Sequence, residues 1–211
     1  MIVTAVRPIR GHKVLLTFDD GSEAELDKTV WEESPYGVDS SLSRAEVDVL
    51  CALSQRRRAE NKAVFLLSKR DLSRRELEEK LCREKGRYCA DNREVAAEAA
   101  ARMVELGYVN DENYAHRLAE QLARVKLYPR RRIVDELMRK GIARDLAHEA
   151  ANALELDETE MALAFLRKKR YTVPKNSNEV QRIAAAMARY GYAAEVVRRA
   201  LRVWGEDLPD D

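Results

Sequence analysis

Three short stretches of this chain gather cations that could hold a negatively charged partner. Lys69 and Arg70 precede Arg74 and Arg75; Arg124 and Lys126 precede Arg130, Arg131 and Arg132; Arg167, Lys168, Lys169 and Arg170 precede Lys175. The second and third stretches each add a tyrosine and a proline, Tyr128-Pro129 and Tyr171 with Pro174. Grouped ammonium and guanidinium groups attract DNA phosphates or an acidic protein groove, and they speed encounter with either. Tyr128 and Tyr171 could anchor such a contact. The excess is local. Residues 121–144 hold eight Lys/Arg against two Asp/Glu, and 161–175 hold five against none, in a chain of net charge +1. The bland alternative is that these cations complement helix dipoles, or form i,i+3 and i,i+4 pairs such as those open to Arg132, Asp135, Glu136, Arg139 and Lys140. That alternative does not account for the recurrence at three places.

Other chemistry finds little support. His12, His116 and His148 are isolated, and none sits in an HExxH or triad-like setting. There is no glycine-rich phosphate loop and no carboxylate cluster with metal spacing. Cys51, Cys82 and Cys89 are odd in number and scattered, so they make neither a disulfide framework nor a paired metal site. They read as small apolar residues of a reducing cytosol. No apolar run approaches the roughly 20 residues that cross a bilayer, and the N-terminus lacks a signal-peptide pattern. The expectation is a cytoplasmic, monomeric binding protein, not an enzyme, with no cofactor, metal or small-molecule substrate.

The elements that must position the cations are legible. With 45% hydrophobic and 36% charged residues but only eight Gly and five Pro, the composition favours long helices. Residues 1–40 differ: β-branched runs predict three short strands, about 1–9, 13–19 and 22–26, with a hairpin turn at Asp20-Gly21. A short helical turn follows, ended by Pro35 and Gly37. Such a small sheet needs support, and Val30 and Trp31 should lean on the first helix. From Ser43 onward the period is about 3.6. Ser43 to Glu46 and Ser73 to Glu76 are capping boxes, and Asp157 to Glu160 is a weaker version. Asn110 caps another helix, and Pro129 suits a first helical position. Gly86, Gly107, Gly141 and Gly191 each follow an amphipathic run and suit its C-terminal cap. The predicted helices are 43–69 (one helix, or two joined near Arg56-Arg57-Arg58), 73–85, 92–106, 111–127, 130–140, 143–154, 157–171, 178–190 and 193–204.

The helices repeat. The segment from Arg131 and that from Gln181 align at a constant offset of 50 residues, pairing Ile133 with Ile183, Leu137 with Met187, Gly141 with Gly191 and Ala150 with Ala200. A looser copy starts at Ser73, with Leu77 and Leu81 in the places of Ile133 and Leu137. The reading is a mainly α chain. An N-terminal β-stranded extension (1–40) is followed by three tandem three-helix repeats, 41–108, 109–154 and 155–211. Small repeats of this kind bury spare apolar faces on their neighbours, which predicts an elongated, curved body. In each repeat the turn between first and second helices carries the cations, so similar stacking would line them up as a positive stripe.

Three motifs, in order, resemble the RecX family of regulatory proteins: "LSKRDLSRRELEEKL" (67–81), "GYVNDENYA" (107–115) and "RIVDELMRKGI" (132–142). The chain departs from the family at Leu127-Tyr128-Pro129, where members often have a glycine. The resemblance implies a modulator of RecA recombinase, lying along the groove of the RecA–DNA filament and suppressing ATP hydrolysis, strand exchange and repressor co-cleavage. The family would then act in DNA repair and the SOS response. The motif residues themselves read as caps and core, and the expected contacts are the basic turns. Weak, sequence-blind binding to single- or double-stranded DNA is a further expectation. The competing readings are a helix-turn-helix DNA reader making mostly phosphate contacts, and a helical scaffold for another acidic partner. The first is poorly served by helix 143–154, which opens on Ala143, Arg144, Asp145 and Leu146.

Overall fold

A computed structural model of the chain describes residues 1–83 and 93–206. The expected helix end at Gly86, and Cys89, lie outside them. The described residues are mostly helical with one small N-terminal antiparallel sheet. They form two compact units, Met1–Val109 and Asn110–Asp211. Among them, no helix is long and apolar enough to cross a membrane.

The N-terminal unit opens with β1 (Val3–Ile9), β2 (Lys13–Phe18) and β3 (Glu23–Asp27), antiparallel in the order β1-β2-β3. Gly21, with φ of +79°, turns the second hairpin at the predicted Asp20-Gly21. Alternation buries Val14, Leu16 and Phe18 of β2 on one face, with Ala24 and Leu26 of β3. The short helix α1 (Lys28–Glu32) is capped by the Asp27 carboxylate and buries Trp31 in the same core, with Val30 partly buried beside it. The first long helix, α2 (Arg44–Leu67), is continuous through Arg56-Arg57-Arg58. It starts on the full Ser43–Glu46 capping box. Its N-terminal half supplies Val47 and Leu50 to the sheet's core, and its C-terminal half supplies Ala59 and Ala63 to a second core. That core is shared with Leu77 and Leu81 of α3 (Arg74–Arg83) and Ala96, Ala99, Ala100 and Met103 of α4 (Arg93–Glu105). The arginine run does not break α2. It reaches sideways: Arg58 pairs with Glu25, which also binds the buried Lys13 at 2.7 Å.

The C-terminal unit holds α5 (Asp111–Gln121), a π-helical turn (Leu122–Lys126), α6 (Arg130–Arg139), α7 (Arg144–Asn152), α8 (Glu158–Lys168), α9 (Ser177–Tyr190) and α10 (Ala194–Glu206). One hydrophobic core runs through all of it, from Tyr114 to Ala200. Ile133 and Leu137 on α6 match Ile183 and Met187 on α9, and Leu77 and Leu81 on α3; all are at most 2% exposed. Gly141 and Gly191 both take positive φ at the ends of these second helices.

One helix changes its winding before its predicted end, and one predicted helix end moves. The helix expected over 111–127 widens at Leu122 into the π-helical turn and stops at Leu127, which is left-handed at φ +57°. The cause is local: Pro129 has no N–H to donate back, and its ring disfavours helical backbone at residue 128. The helix expected over 157–171 ends at Lys168, and Arg170 takes the same left-handed conformation. Thus first helices of both repeats in this unit end on a left-handed residue other than glycine.

Candidate functional site

The turn joining α5 to α6 is built from both halves of the C-terminal unit. The Lys168 ammonium at the end of α8 donates to the Val125 carbonyl at 2.7 Å. The Tyr190 hydroxyl donates to the Lys126 carbonyl at 2.6 Å, and the Tyr192 hydroxyl to the Leu127 carbonyl at 2.7 Å. Around these bonds lie Tyr128, Phe165, Tyr171, Tyr190 and Tyr192. Ring centroids are 4.4 Å apart for Phe165 and Tyr190, and 5.1 Å for Tyr128 and Tyr190. Tyr128 and Tyr171, read from the sequence as anchors for a partner, are half-buried in this aromatic group. Burial is the main cause raising the Tyr190 and Tyr192 phenols above their ordinary range. For Tyr190, the neighbouring Tyr128 adds to the rise and the Arg132 guanidinium opposes it.

The basic run that opens α6 divides by direction. The Arg132 guanidinium carbon lies 4.1 Å from the Tyr128 ring centroid and 4.5 Å from that of Tyr190, and the group donates to the Tyr190 carbonyl at 3.0 Å. Arg130 gives its backbone N–H to the Glu158 carboxylate and its guanidinium to the Leu154 carbonyl at 2.8 Å. Both arginines hold the second three-helix segment to the third. Arg131, between them, is solvent-exposed.

The remaining cations of the two turns come together. Because Lys168 reaches Val125, the stretch 124–126 lies beside the end of α8. Arg124, Lys126, Lys169 and Arg170 are exposed, and among the described residues they have no carboxylate partner. Arg167 is exposed too, its guanidinium 5.7 Å from the Trp204 ring. Lys175 is exposed before α9, its backbone N–H held by Glu179. In the N-terminal unit the basic turn looks different. Arg70 pairs with Glu76, Arg74 with Glu78 at 3.0 Å and Arg75 with Glu79 at 3.3 Å. Lys69 lies over the exposed Phe65 ring, 5.1 Å from its centroid. Much of that cluster is neutralised on its own surface, as i,i+4 spacing allows.

Sequence reading did not single out Tyr190, Tyr192 or Phe165. A signal existed: in a chain with 6% aromatic residues, Tyr190-Gly191-Tyr192 brackets a helix-ending glycine. A side chain at residue 191 would place its Cβ 3.0 Å from Arg132 Cβ, so this turn packs directly on α6.

A small sheet followed by consecutive three-helix segments, with cations at their turns, defines a helical-repeat protein. Residues 110–150 match the family described as "RecX, second three-helix domain". The regulatory protein RecX of Caldanaerobacter subterraneus subsp. tengcongensis is 30% identical over 148 residues, covering 69% of this chain and 70% of that one. The RecX of Trichlorobacter lovleyi is 30% identical over 142 residues, covering 65% and 89%. The chain belongs to the RecX family of regulatory proteins. Its fold is similar to a crystal structure of regulatory protein RecX, with TM-score 0.67 and 15% identity over 94% of this chain and 98% of the other. It is also similar to RecX from Lactobacillus salivarius, with TM-score 0.61 and 21% identity over 73% and 99%.

Proposed function

We propose that this chain binds the RecA–DNA filament in the cytoplasm and restrains the recombinase, lowering ATP hydrolysis, strand exchange and repressor co-cleavage. The contact is assigned chiefly to the C-terminal unit. The observation that carries this reading is the bond from Lys168 to the Val125 carbonyl, which sets the exposed Arg124 and Lys126 beside the exposed Lys169 and Arg170. Arg124, Lys126, Arg131, Arg167, Lys168, Lys169, Arg170 and Lys175 would face phosphates or acidic side chains of the filament. Arg130, Arg132, Tyr128 and Tyr171 would support that surface from behind. The paired arginines of the N-terminal unit, with Lys69, would contribute less. Exposed charges of this kind are screened by salt within about 10 Å at 0.1 M, so binding should be salt-sensitive.

The test is DNA-dependent ATP hydrolysis by RecA, titrated with the protein, beside a gel shift on bare DNA at roughly 50 and 200 mM salt. Turnover should fall at near-stoichiometric protein, and bare DNA should be held weakly and only at the lower salt. Undiminished turnover with saturating protein would reject the proposal. Tight, salt-resistant, sequence-dependent shifts would favour a helix-turn-helix reader instead.

A further inference from the structure

We infer that Tyr190, Tyr192 and Lys168 are positioning residues that shape the cation-bearing turn of the preceding three-helix segment, so that two segments together make one binding surface. The inference deepens the reading above and rests on it.

The argument starts from backbone groups that helix geometry leaves over. In a continuing α-helix, Val125 would offer its carbonyl to the N–H of residue 129, but that residue is proline. Lys126 would offer its carbonyl to the Arg130 N–H, which instead goes to Glu158. Leu127 is already left-handed, and its carbonyl points out of the helix ladder. Three consecutive acceptors are therefore left at the end of one segment. Each is answered by a side chain of the next: Lys168 at 2.7 Å, Tyr190 at 2.6 Å and Tyr192 at 2.7 Å.

The donors suit the task. A carbonyl can only accept, so both phenols must donate; phenols are protonated at neutral pH, and burial raises these two further above their ordinary range. Their rings are held by Phe165, and by Gly191, whose missing side chain lets the turn approach α6. Within the turn the Leu127 N–H donates to the Ala123 carbonyl at 3.0 Å and the Tyr128 N–H to the Leu122 carbonyl at 3.2 Å, closing the helix around a left-handed leucine, and the three side-chain bonds fasten that closure from the next segment. Arg124 and Lys126 ride on this π-helical turn, so the bonds that fix their direction include two supplied about 65 residues later in the chain. Preorganised cations bind more tightly because less ordering remains to be done on contact.

The experiment uses five full-length proteins: wild type, Tyr192→Phe, Tyr190→Phe with Tyr192→Phe, Arg124→Ala with Lys126→Ala, and the last two pairs of changes together. Two quantities are measured: affinity for RecA filaments on single-stranded DNA, and amide hydrogen exchange. Removing the hydroxyls should speed exchange at Lys126, Leu127 and Tyr128 while Ile133 and Leu137 stay protected. It should weaken filament binding roughly tenfold, and should cost nothing further once Arg124 and Lys126 are alanine. A merely structural role would produce the same loss in both backgrounds, and that result would overturn the inference. Unchanged exchange at residues 126–128 would also overturn it, whatever the partner. Wild-type affinity in Arg124→Ala with Lys126→Ala would instead show that this turn does not bind, and the inference falls with that reading. Tyr192→Phe alone keeps the Tyr190 bond, and should give intermediate exchange even if the double variant unfolds.

Discussion

Arg132 touches two tyrosine rings and a backbone carbonyl, whereas Arg131 faces water one position earlier. Their substitutions should separate accordingly. Arg132→Ala removes contacts to both rings and a charge-assisted hydrogen bond, and should destabilise the C-terminal unit by about 2–3 kcal/mol. Arg131→Ala should stay within about 0.5 kcal/mol. Urea denaturation of the two variants checks this, and equal midpoints would contradict it. The run of arginines was plain in the sequence, but its division was not. The partners of Arg130 and Arg132 are backbone carbonyls 24 and 58 residues away, which no local pattern reveals. Tyr192 carries a pH signature. Its folded pKa is raised, above all by burial, so the folded state holds the phenolic proton more tightly than the unfolded chain does. The resulting stability is complete below about pH 10, the unfolded value, and is lost as pH rises above it. Thermal midpoints between about pH 8 and 11 should therefore fall less steeply in Tyr192→Phe than in the wild type. Identical slopes would refute this.

Among elements, α2 connects most. It runs 24 residues from the sheet's core to the three-helix core without interruption. Its buried Ser54 hydroxyl accepts the Asp27 N–H at 3.0 Å, tying helix to strand. Ser54→Ala leaves that N–H without a partner and should cost about 1–3 kcal/mol, read by chemical denaturation. A neutral effect would mean that another acceptor takes its place. Helix starts were legible because caps are local: Ser43, Asn110 and Asp157 all cap where their spacing predicts. The Asp157 carboxylate accepts the Glu160 and Thr159 N–H groups, and these bonds hold it below the usual carboxylate range. Helix ends were less legible. Leu127 and Arg170 close helices in a conformation usually left to glycine; the Leu127 and Tyr128 N–H groups bond back to Ala123 and Leu122, and the Tyr192 hydroxyl, 65 residues on, donates to the Leu127 carbonyl.

At the scale of the whole molecule, the 50-residue offset in the sequence told that α6 and α9 are equivalent, and the buried quartet Ile133, Leu137, Ile183 and Met187 agrees. Packing of each repeat on its neighbour was legible too, and the segments after Asn110 share a single core, but the contacts that join their turns were not, because the Tyr190 and Tyr192 hydroxyls meet carbonyls about 65 residues back in the chain. The same contacts decide which cations remain on display. The central claim is that this display meets the RecA–DNA filament. The most direct measurement is DNA-dependent ATP hydrolysis by RecA, titrated with wild type and with a variant carrying Arg124→Glu, Lys126→Glu, Lys169→Glu and Arg170→Glu. With circular dichroism unchanged, the wild type should suppress turnover and the variant should not at equal concentration. Equal suppression by both proteins would contradict the account.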